Sequence, residues 1–536
     1  MSNHLELAQR AYAEGRLEEC VRLCAEVPAA GASHLLGVAL HALGRTEEAI
    51  VHFRHALELD PTLAEAYVNL GMALRKLGQV QEAIECYGRA LGLDPNHAGT
   101  HNNLGNALNQ VGRVDEAIAH FHRALALQPA FAQACNNLGT ALRKKGQVET
   151  AVENYRQAIL LQPGYPEAFN NLGNALQELG RREEARACLD QALALRPAFP
   201  EAHNNLGNLL RDQGLLDPAE AGFRKAIELR PGYAEAHNNL GAVLQGQGRI
   251  DEALDCFQNA LELQPDLTGA QSNVLYALHL HPDYDAQAIG EAHRLWNAQH
   301  ALPLGRDLHA HRNSPDPERR LRIGYVSPRF NRLPEGRFLL PLVREQNRDA
   351  FEIILYSDLR EPDVTTEKLR ACADGWRDIA GLPDAEVADL IRRDGIDIAV
   401  DLMLHNAGNR LAVFAQKPAP VQVTYLGYCS TTGLTAMDYR FSDPWFDPLD
   451  SDDSVYSERT WRLPATYWCY EPPLDLPPSP APVEGVITYG SMNAFGKLSD
   501  ATLDLWCDLL AAVPEARLLM HALEGGPRRR VQEWLA

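Results

Sequence analysis

Apolar and small residues return at a fixed step through the first half of the chain. The pair Leu-Gly stands at Leu36-Gly37, Leu70-Gly71, Leu104-Gly105, Leu138-Gly139, Leu172-Gly173, Leu206-Gly207 and Leu240-Gly241, each 34 residues after the last. A second glycine keeps phase at Gly44, Gly78, Gly112, Gly146, Gly180, Gly214 and Gly248, and a proline closes each unit at Pro61, Pro95, Pro129, Pro163, Pro197, Pro231 and Pro265. The pattern predicts one helical hairpin per unit. In the unit around Gly71, Gly71 and Ala83 are small where two helices must meet, Leu74 and Tyr87 fill the volume beside them, Gly78 breaks the chain, and Pro95 stops the second helix. One hairpin cannot bury its apolar face alone, so stacked neighbours supply the core and form a superhelix with a long concave surface. Seven units run from about residue 31 to residue 267, and an irregular one precedes them around Gly15, whose spacing to Gly44 is 29. Leu275 and Leu278 continue the pattern as a closing helix.

After Pro282 the period stops. A helical stretch through Trp296 leads into a polar connector, His309 to Arg320, and then short apolar runs alternate with helix-like segments: Leu321 to Ser327, Phe351 to Ser357, Ile396 to Met403, Val421 to Leu426 and Ile487 to Ser491. Such alternation argues a parallel sheet with helices on both faces, whose ligands bind at the carboxyl ends of the strands. The predicted domains are a repeat superhelix of about eight units over residues 1–285, a helical junction over 286–320, a first α/β lobe over 321–480 and the beginning of a second lobe over 481–536.

Composition narrows the class. Apolar residues make up 46% and charged residues 23% of the 536, the balance of a soluble globular protein. Fifty basic against 71 acidic residues give a net charge of −21, which argues against nucleic acid as a partner. No stretch approaches the roughly eighteen apolar residues that cross a bilayer, and Met1 to Gly15 lacks an apolar signal core, so a cytoplasmic protein without membrane contact is expected. The ten cysteines are scattered without a CxxC pair and read as reduced thiols.

One repeated residue is not demanded by packing. Asn69, Asn103, Asn137, Asn171, Asn205, Asn239 and Asn273 share one phase, although helix interiors disfavour asparagine. The residues are consistent with a ladder that cross-links successive helices, or with a row of amides that holds the backbone of an extended peptide. The second reading suits a groove that accepts many protein partners. His101, His203 and His237 also share a phase, but equivalent positions of stacked repeats lie too far apart to share a metal ion.

The 34-residue units resemble the tetratricopeptide repeat family, with Leu70, Gly71, Ala83, Tyr87, Ala90 and Pro95 at signature positions. The segments Gly324-Tyr-Val-Ser327, Asp401 to Arg410, Lys417 to Gly427, Thr431 to Leu434, Met437 to Tyr439, Val455 to Glu458 and Gly490 to Ser499 are similar to the catalytic domain of the O-GlcNAc transferase and SPINDLY family. The resemblance implies a tetratricopeptide α-solenoid followed by a Rossmann-like α/β glycosyltransferase lobe of GT-B type and the start of a second lobe. It implies a protein O-linked glycosyltransferase that moves N-acetylglucosamine from UDP-GlcNAc to Ser or Thr hydroxyls of proteins held along the repeats. It also implies no metal and no cofactor, only the nucleotide-sugar donor as co-substrate. Homo-oligomerisation through the repeats is a further expectation.

Carried over residue by residue, Lys497 matches the lysine that contacts the donor diphosphate, and Ser499 stands where it can cap a helix whose amino end favours an anion. His405 matches a histidine of the bacterial branch that orients donor or acceptor. Arg410, Thr431, Thr432 and Gly433 sit in matched segments and are expected to line the cleft. The chain also departs from the pattern. After Gly-Tyr-Val-Ser comes Pro328-Arg329-Phe330-Asn331-Arg332-Leu333-Pro334-Glu335, with Leu333 where the family has a histidine and Glu335 as a nearby substitute. Leucine cannot exchange a proton. Cys429 replaces a proline and reads as an inert thiol, and Ala494 stands where a side-chain amide is common. Only 216 residues follow Arg320, so an incomplete donor lobe is expected. Three alternatives stay open at this level: transfer of fucose from GDP-fucose, a catalytically inactive repeat scaffold, and a metal-dependent transferase using Asp450-Ser-Asp452.

Overall fold

The computed structural model describes residues 2–305, 311–316, 318–359, 361–428, 430–471 and 487–535. The chain forms two compact units, Met1–Asn205 and Leu206–Ala536. The expected boundary between 480 and 481, part of the connector from His309, and Cys429 lie outside the described residues.

The first unit consists of antiparallel helix pairs, beginning with the irregular pair Ser2–Ala13 and Leu17–Ala25. The pair Ala64–Lys76 and Val80–Leu93 shows why the period holds. Gly78 between them has φ +79°, a left-handed conformation that a side chain would strain. The turn is closed by bonds from the Gly78 N–H to the Arg75 carbonyl (3.1 Å) and from the Gln79 N–H to the Leu74 carbonyl (2.9 Å). A Cβ on Gly71 would lie 2.7 Å from the Tyr87 ring, so the glycine admits an aromatic that is itself fully buried. Phe53 and Phe121 fill the same place in their hairpins, each contributing about 2 kcal/mol by burial.

The phased polar residues join neighbouring units. Asn137 donates to Asn102, Asn171 to Asn136 and Asn205 to Asn170 at 2.8–2.9 Å, and the Asn69 amide meets His34 at 2.8 Å. In the second unit Asn273 donates to Asn238 at 2.9 Å, and Asn239 accepts from Arg211. The cross-linking ladder is therefore built, yet all seven asparagines remain half-buried rather than enclosed. The phased histidines have a packing role: His101, His203 and His237 each donate a ring N–H to the carbonyl of the proline six residues earlier, at 2.9–3.1 Å. Gln271 makes the equivalent bond to Pro265.

The second unit holds the last repeat helices, Leu216–Leu229, Ala234–Gly246, Ile250–Leu263 and Thr268–Leu278, then Ala286–Trp296 and an α/β lobe. Its strands are β1 (Leu321–Ser327), β2 (Phe351–Ser357), β3 (Gly375–Asp378), β4 (Ile398–Asp401), β5 (Val421–Thr424), β6 (Tyr439–Ser442) and β7 (Arg459–Arg462). All are parallel, in the order β3-β2-β1-β4-β5-β6-β7. The order reverses between β1 and β4, so the loops after these two strands diverge and leave the crevice where such sheets bind ligands. Apolar clusters cover both faces, one around Tyr356, Ile391 and Phe414, the other around Phe330, Leu339 and Leu369. A second parallel pair, β8 (Thr488–Ser491) and β9 (Arg517–Met520), follows with the helices Asp500–Ala512 and Gly526–Leu535.

Candidate functional site

A cavity of about 390 Å³ opens at the β1/β4 switch point. Asn273 and Tyr276 reach it from the helix Thr268–Leu278, Arg329 from the loop after β1, His405 and Asn406 from the loop after β4, and Lys497 from the turn before the helix Asp500–Ala512. Three residues that the sequence singled out separately, Lys497, His405 and Asn273, thus meet at one place.

His405 is held there by its backbone. The buried Asp401 carboxylate accepts from the N–H groups of Met403 (3.1 Å) and Leu404 (2.9 Å) and from the Thr424 hydroxyl (2.9 Å), and burial raises its pKa to about 6. Leu404 is driven to φ +48°, a conformation that costs a branched residue on the order of 1–3 kcal/mol and is sustained by those bonds. The His405 ring donates from Nε2 to the Thr432 carbonyl at 2.8 Å, its buried Nδ1 has no partner among the described residues, and Trp296 and His293 pack edge-on at 4.6 and 5.0 Å. Burial, with His293 adding to it, pushes the imidazole pKa well below its usual value. The ring is therefore a neutral, fixed part of the wall. With one nitrogen bonded and the other enclosed, it orients what lies beside it rather than exchanging a proton with it.

The expected cleft-lining residues stand elsewhere. Arg410 pairs with Asp358 (2.9 Å) and Asp384 (2.7 Å) and donates to the Leu382 and Ile379 carbonyls, so its guanidinium pins the β4 loop to neighbouring loops. Thr431 and Thr432 are fully buried behind His405, where the Glu458 carboxylate accepts from both hydroxyls and from the Thr432 N–H. Gly433, at φ +78°, lets the chain pass the His293 carbonyl, which a Cβ would meet at 2.6 Å. These residues support the wall and do not line the cavity.

Lys497 is exposed within the short turn Phe495–Lys497, whose Phe495 is buried against Leu498 and Val531. Ser499 caps the following helix, its Oγ accepting from the Thr502 N–H at 3.3 Å. The cation and the helix amino end thus share one anion-favouring corner. Leu333, 43% exposed, precedes the helix Pro334–Glu345. Glu335 is buried, with Oε1 2.5 Å from Arg329 and Oε2 without a partner among the described residues. Arg329 and Tyr276 were not singled out by sequence: Tyr276 follows Asn273 by one helical turn, and Arg329 stood only as part of a departing run. Asp450 and Asp452 are exposed, Asp452 accepting from the Ser454 N–H, and among the described residues no group of three metal-ligating side chains occurs.

The family description Glycosyl transferase family 41 matches residues 273–471, and tetratricopeptide repeat descriptions match segments that include 64–97, 170–234 and 234–267. A probable UDP-N-acetylglucosamine–peptide N-acetylglucosaminyltransferase SPINDLY of Petunia hybrida is 38% identical over 237 residues, 43% of this chain and 25% of that protein. The Arabidopsis thaliana SPINDLY protein is 35% identical over 43% of this chain and 26% of its own length. The matched stretch spans about a quarter of the length of these curated relatives. A solved structure of a mutant O-GlcNAc transferase from Thermobaculum terrenum superposes with a TM-score of 0.66 at 38% identity, covering 69% of this chain and 71% of that one.

Proposed function

This chain belongs to the O-GlcNAc transferase and SPINDLY family, and on that premise we propose that it transfers N-acetylglucosamine from UDP-GlcNAc to Ser or Thr hydroxyls of proteins bound along its repeats. The observation that carries the reading is the convergence of Lys497, His405 and Asn273 on one cavity. Lys497 and the amino end of the helix Asp500–Ala512 take the donor diphosphate, the asparagines take the acceptor backbone, and the neutral His405 ring fixes the wall between them. The acceptor oxygen bonds to the anomeric carbon as the bond to the diphosphate breaks, and UDP leaves with the electron pair. Stabilising that growing negative charge is the main catalytic contribution of Lys497. Because the lysine supplies the positive charge, the reading includes no metal and no cofactor. The scattered thiols support a cytoplasmic setting, and assembly through the repeats is part of the same proposal.

Radiolabelled transfer to protein tests it directly. Label is expected from UDP-GlcNAc and not from GDP-fucose, in buffer containing EDTA, and Lys497→Ala should lower the rate about a hundredfold or more. Transfer that needs an added divalent ion, or that is unchanged in Lys497→Ala, would overturn the assignment of the lysine.

A further inference from the structure

The cavity carries two cations, Arg329 and Lys497, and among the described residues no carboxylate lines it. This contrasts with a chain whose net charge is −21, so the cleft is a local positive site on an acidic protein. Resting on the proposed function, Lys497 belongs to the donor diphosphate. Arg329 has no part in that reading, and its position assigns it to the other substrate.

Arg329 reaches the cavity from the loop after β1, and Lys497 from the turn Phe495–Lys497. Among the described residues only one edge of its guanidinium is engaged, by NH1 on the buried Glu335, whose carboxylate fixes the side chain in place. The remaining N–H groups of the planar fork stay available for a second anion. On the repeat side Tyr276, from the helix Thr268–Leu278, lines the same cavity as Arg329. Burial raises its phenol pKa, and the Arg329 charge opposes that rise. Asn273, the last rung of the ladder, precedes Tyr276 by three residues on that helix and lines the same cavity. An acceptor chain that leaves the ladder at Asn273 therefore enters the cavity that Arg329 lines.

We propose that Arg329 is a specificity-determining residue that selects acceptors carrying an Asp or Glu side chain beside the reacting hydroxyl, binding that carboxylate through the edge of the guanidinium that Glu335 leaves open. Glu335 is the positioning partner and not the binding group.

Binding and transfer should be read separately on the full chain. Fluorescein-labelled peptides of one sequence, with the residues flanking a central Ser set to Asp, Ala or Lys, are titrated by anisotropy at low and high salt. The wild-type protein should bind the Asp peptide about tenfold more tightly than the Ala peptide, as a charge-assisted bond in a partly enclosed site implies, and the Lys peptide more weakly than either. The gap should narrow with salt. Arg329→Gln, which can still hydrogen-bond Glu335, should abolish the preference, and Arg329→Lys, which keeps the charge without the fork, should retain a reduced one. Unaltered melting curves verify that both variants fold. Equal affinity for the three peptides, or a preference that survives Arg329→Gln, overturns the proposal, as does an effect of Arg329→Gln confined to the KM for UDP-GlcNAc. Charge-selective binding without sugar transfer would sustain the role of Arg329 while refuting the transferase reading.

Discussion

The chemistry of single residues depends here on which atoms the surroundings leave free. His405 was legible in the sequence as a member of the site, but the fate of its two nitrogens was not, because both are decided by distant residues: Thr432 binds one, and His293 and Trp296 enclose the other. Arg410 and Thr431 to Gly433 stand outside the lining of the cavity, a placement that a matched segment does not reveal because it does not show which way its side chains point. The histidines around this point yield a pH prediction. Burial lowers the pKa of His279 and His293 from 6.5 to about 4, and holds that of His405 well below its usual value as well. In the unfolded chain all three rings take protons near pH 6.5, so below that value the unfolded state binds more protons than the folded one. Stability is fully present above about pH 6.5 and is lost as the pH falls toward 4, by up to about 1.4 kcal/mol per pH unit for each ring. Thermal melts should show a flat Tm from pH 8 to 7 and a steep fall below 6.5, and His293→Phe should make that fall shallower.

At the level of elements, the repeat separates two kinds of glycine that share a helix pair. A Cβ on Gly71 would enter the buried Tyr87 ring, whereas a Cβ on Gly88, exposed on the helix Val80–Leu93, would meet nothing within 4 Å among the described residues beyond its own stretch of helix. Gly88→Ala should therefore gain the helix propensity of alanine, about 1 kcal/mol, while Gly71→Ala should lose about 1–3 kcal/mol to overpacking. Urea denaturation of the two variants measures the opposite signs. The period that exposes Gly71 was legible because every repeat imposes the same contact. Strands were legible where a short apolar run marks them: β1 and β2 match their predicted bounds, but β3, β6 and β7 were not foreseen. Their sequences, Gly-Trp-Arg-Asp, Tyr-Arg-Phe-Ser and Arg-Thr-Trp-Arg, lie toward the sheet edges and carry no continuous apolar run. The run from Ile396 to Met403 shortens to Ile398–Asp401 because Asp401 turns the chain with its own carboxylate.

In the molecule as a whole, the site depends on segments more than 300 residues apart. Asp217, on the helix Leu216–Leu229, accepts from the Gly526 N–H (3.0 Å) and pairs with Arg529 (2.6 Å), and Arg530 donates to the Gly248 carbonyl (3.2 Å). Leu523 joins the apolar cluster of the last repeats, and the Gly496 backbone runs so close to Gln245 that a Cβ would lie 2.3 Å from its carbonyl. The segment that carries Lys497 is thus clasped to repeat helices rather than to the seven-stranded sheet, a relation that no local pattern of residues encodes. Burial raises the Asp217 pKa, but the Gly526 N–H and Arg529 outweigh it and keep the carboxylate charged. Its side chain is one-third exposed, so the ion pair itself contributes less than about 1 kcal/mol to stability. Asp217→Ala should therefore leave the global melting curve almost unchanged while local opening increases, because the last helix loses a bond at its amino end. Hydrogen exchange over residues 526–535 should quicken several-fold, and the KM for UDP-GlcNAc should rise with it. Lys497→Ala should separate the two effects, weakening donor binding without quickening exchange. If Asp217→Ala changed neither quantity, the clasp would have no bearing on the donor corner.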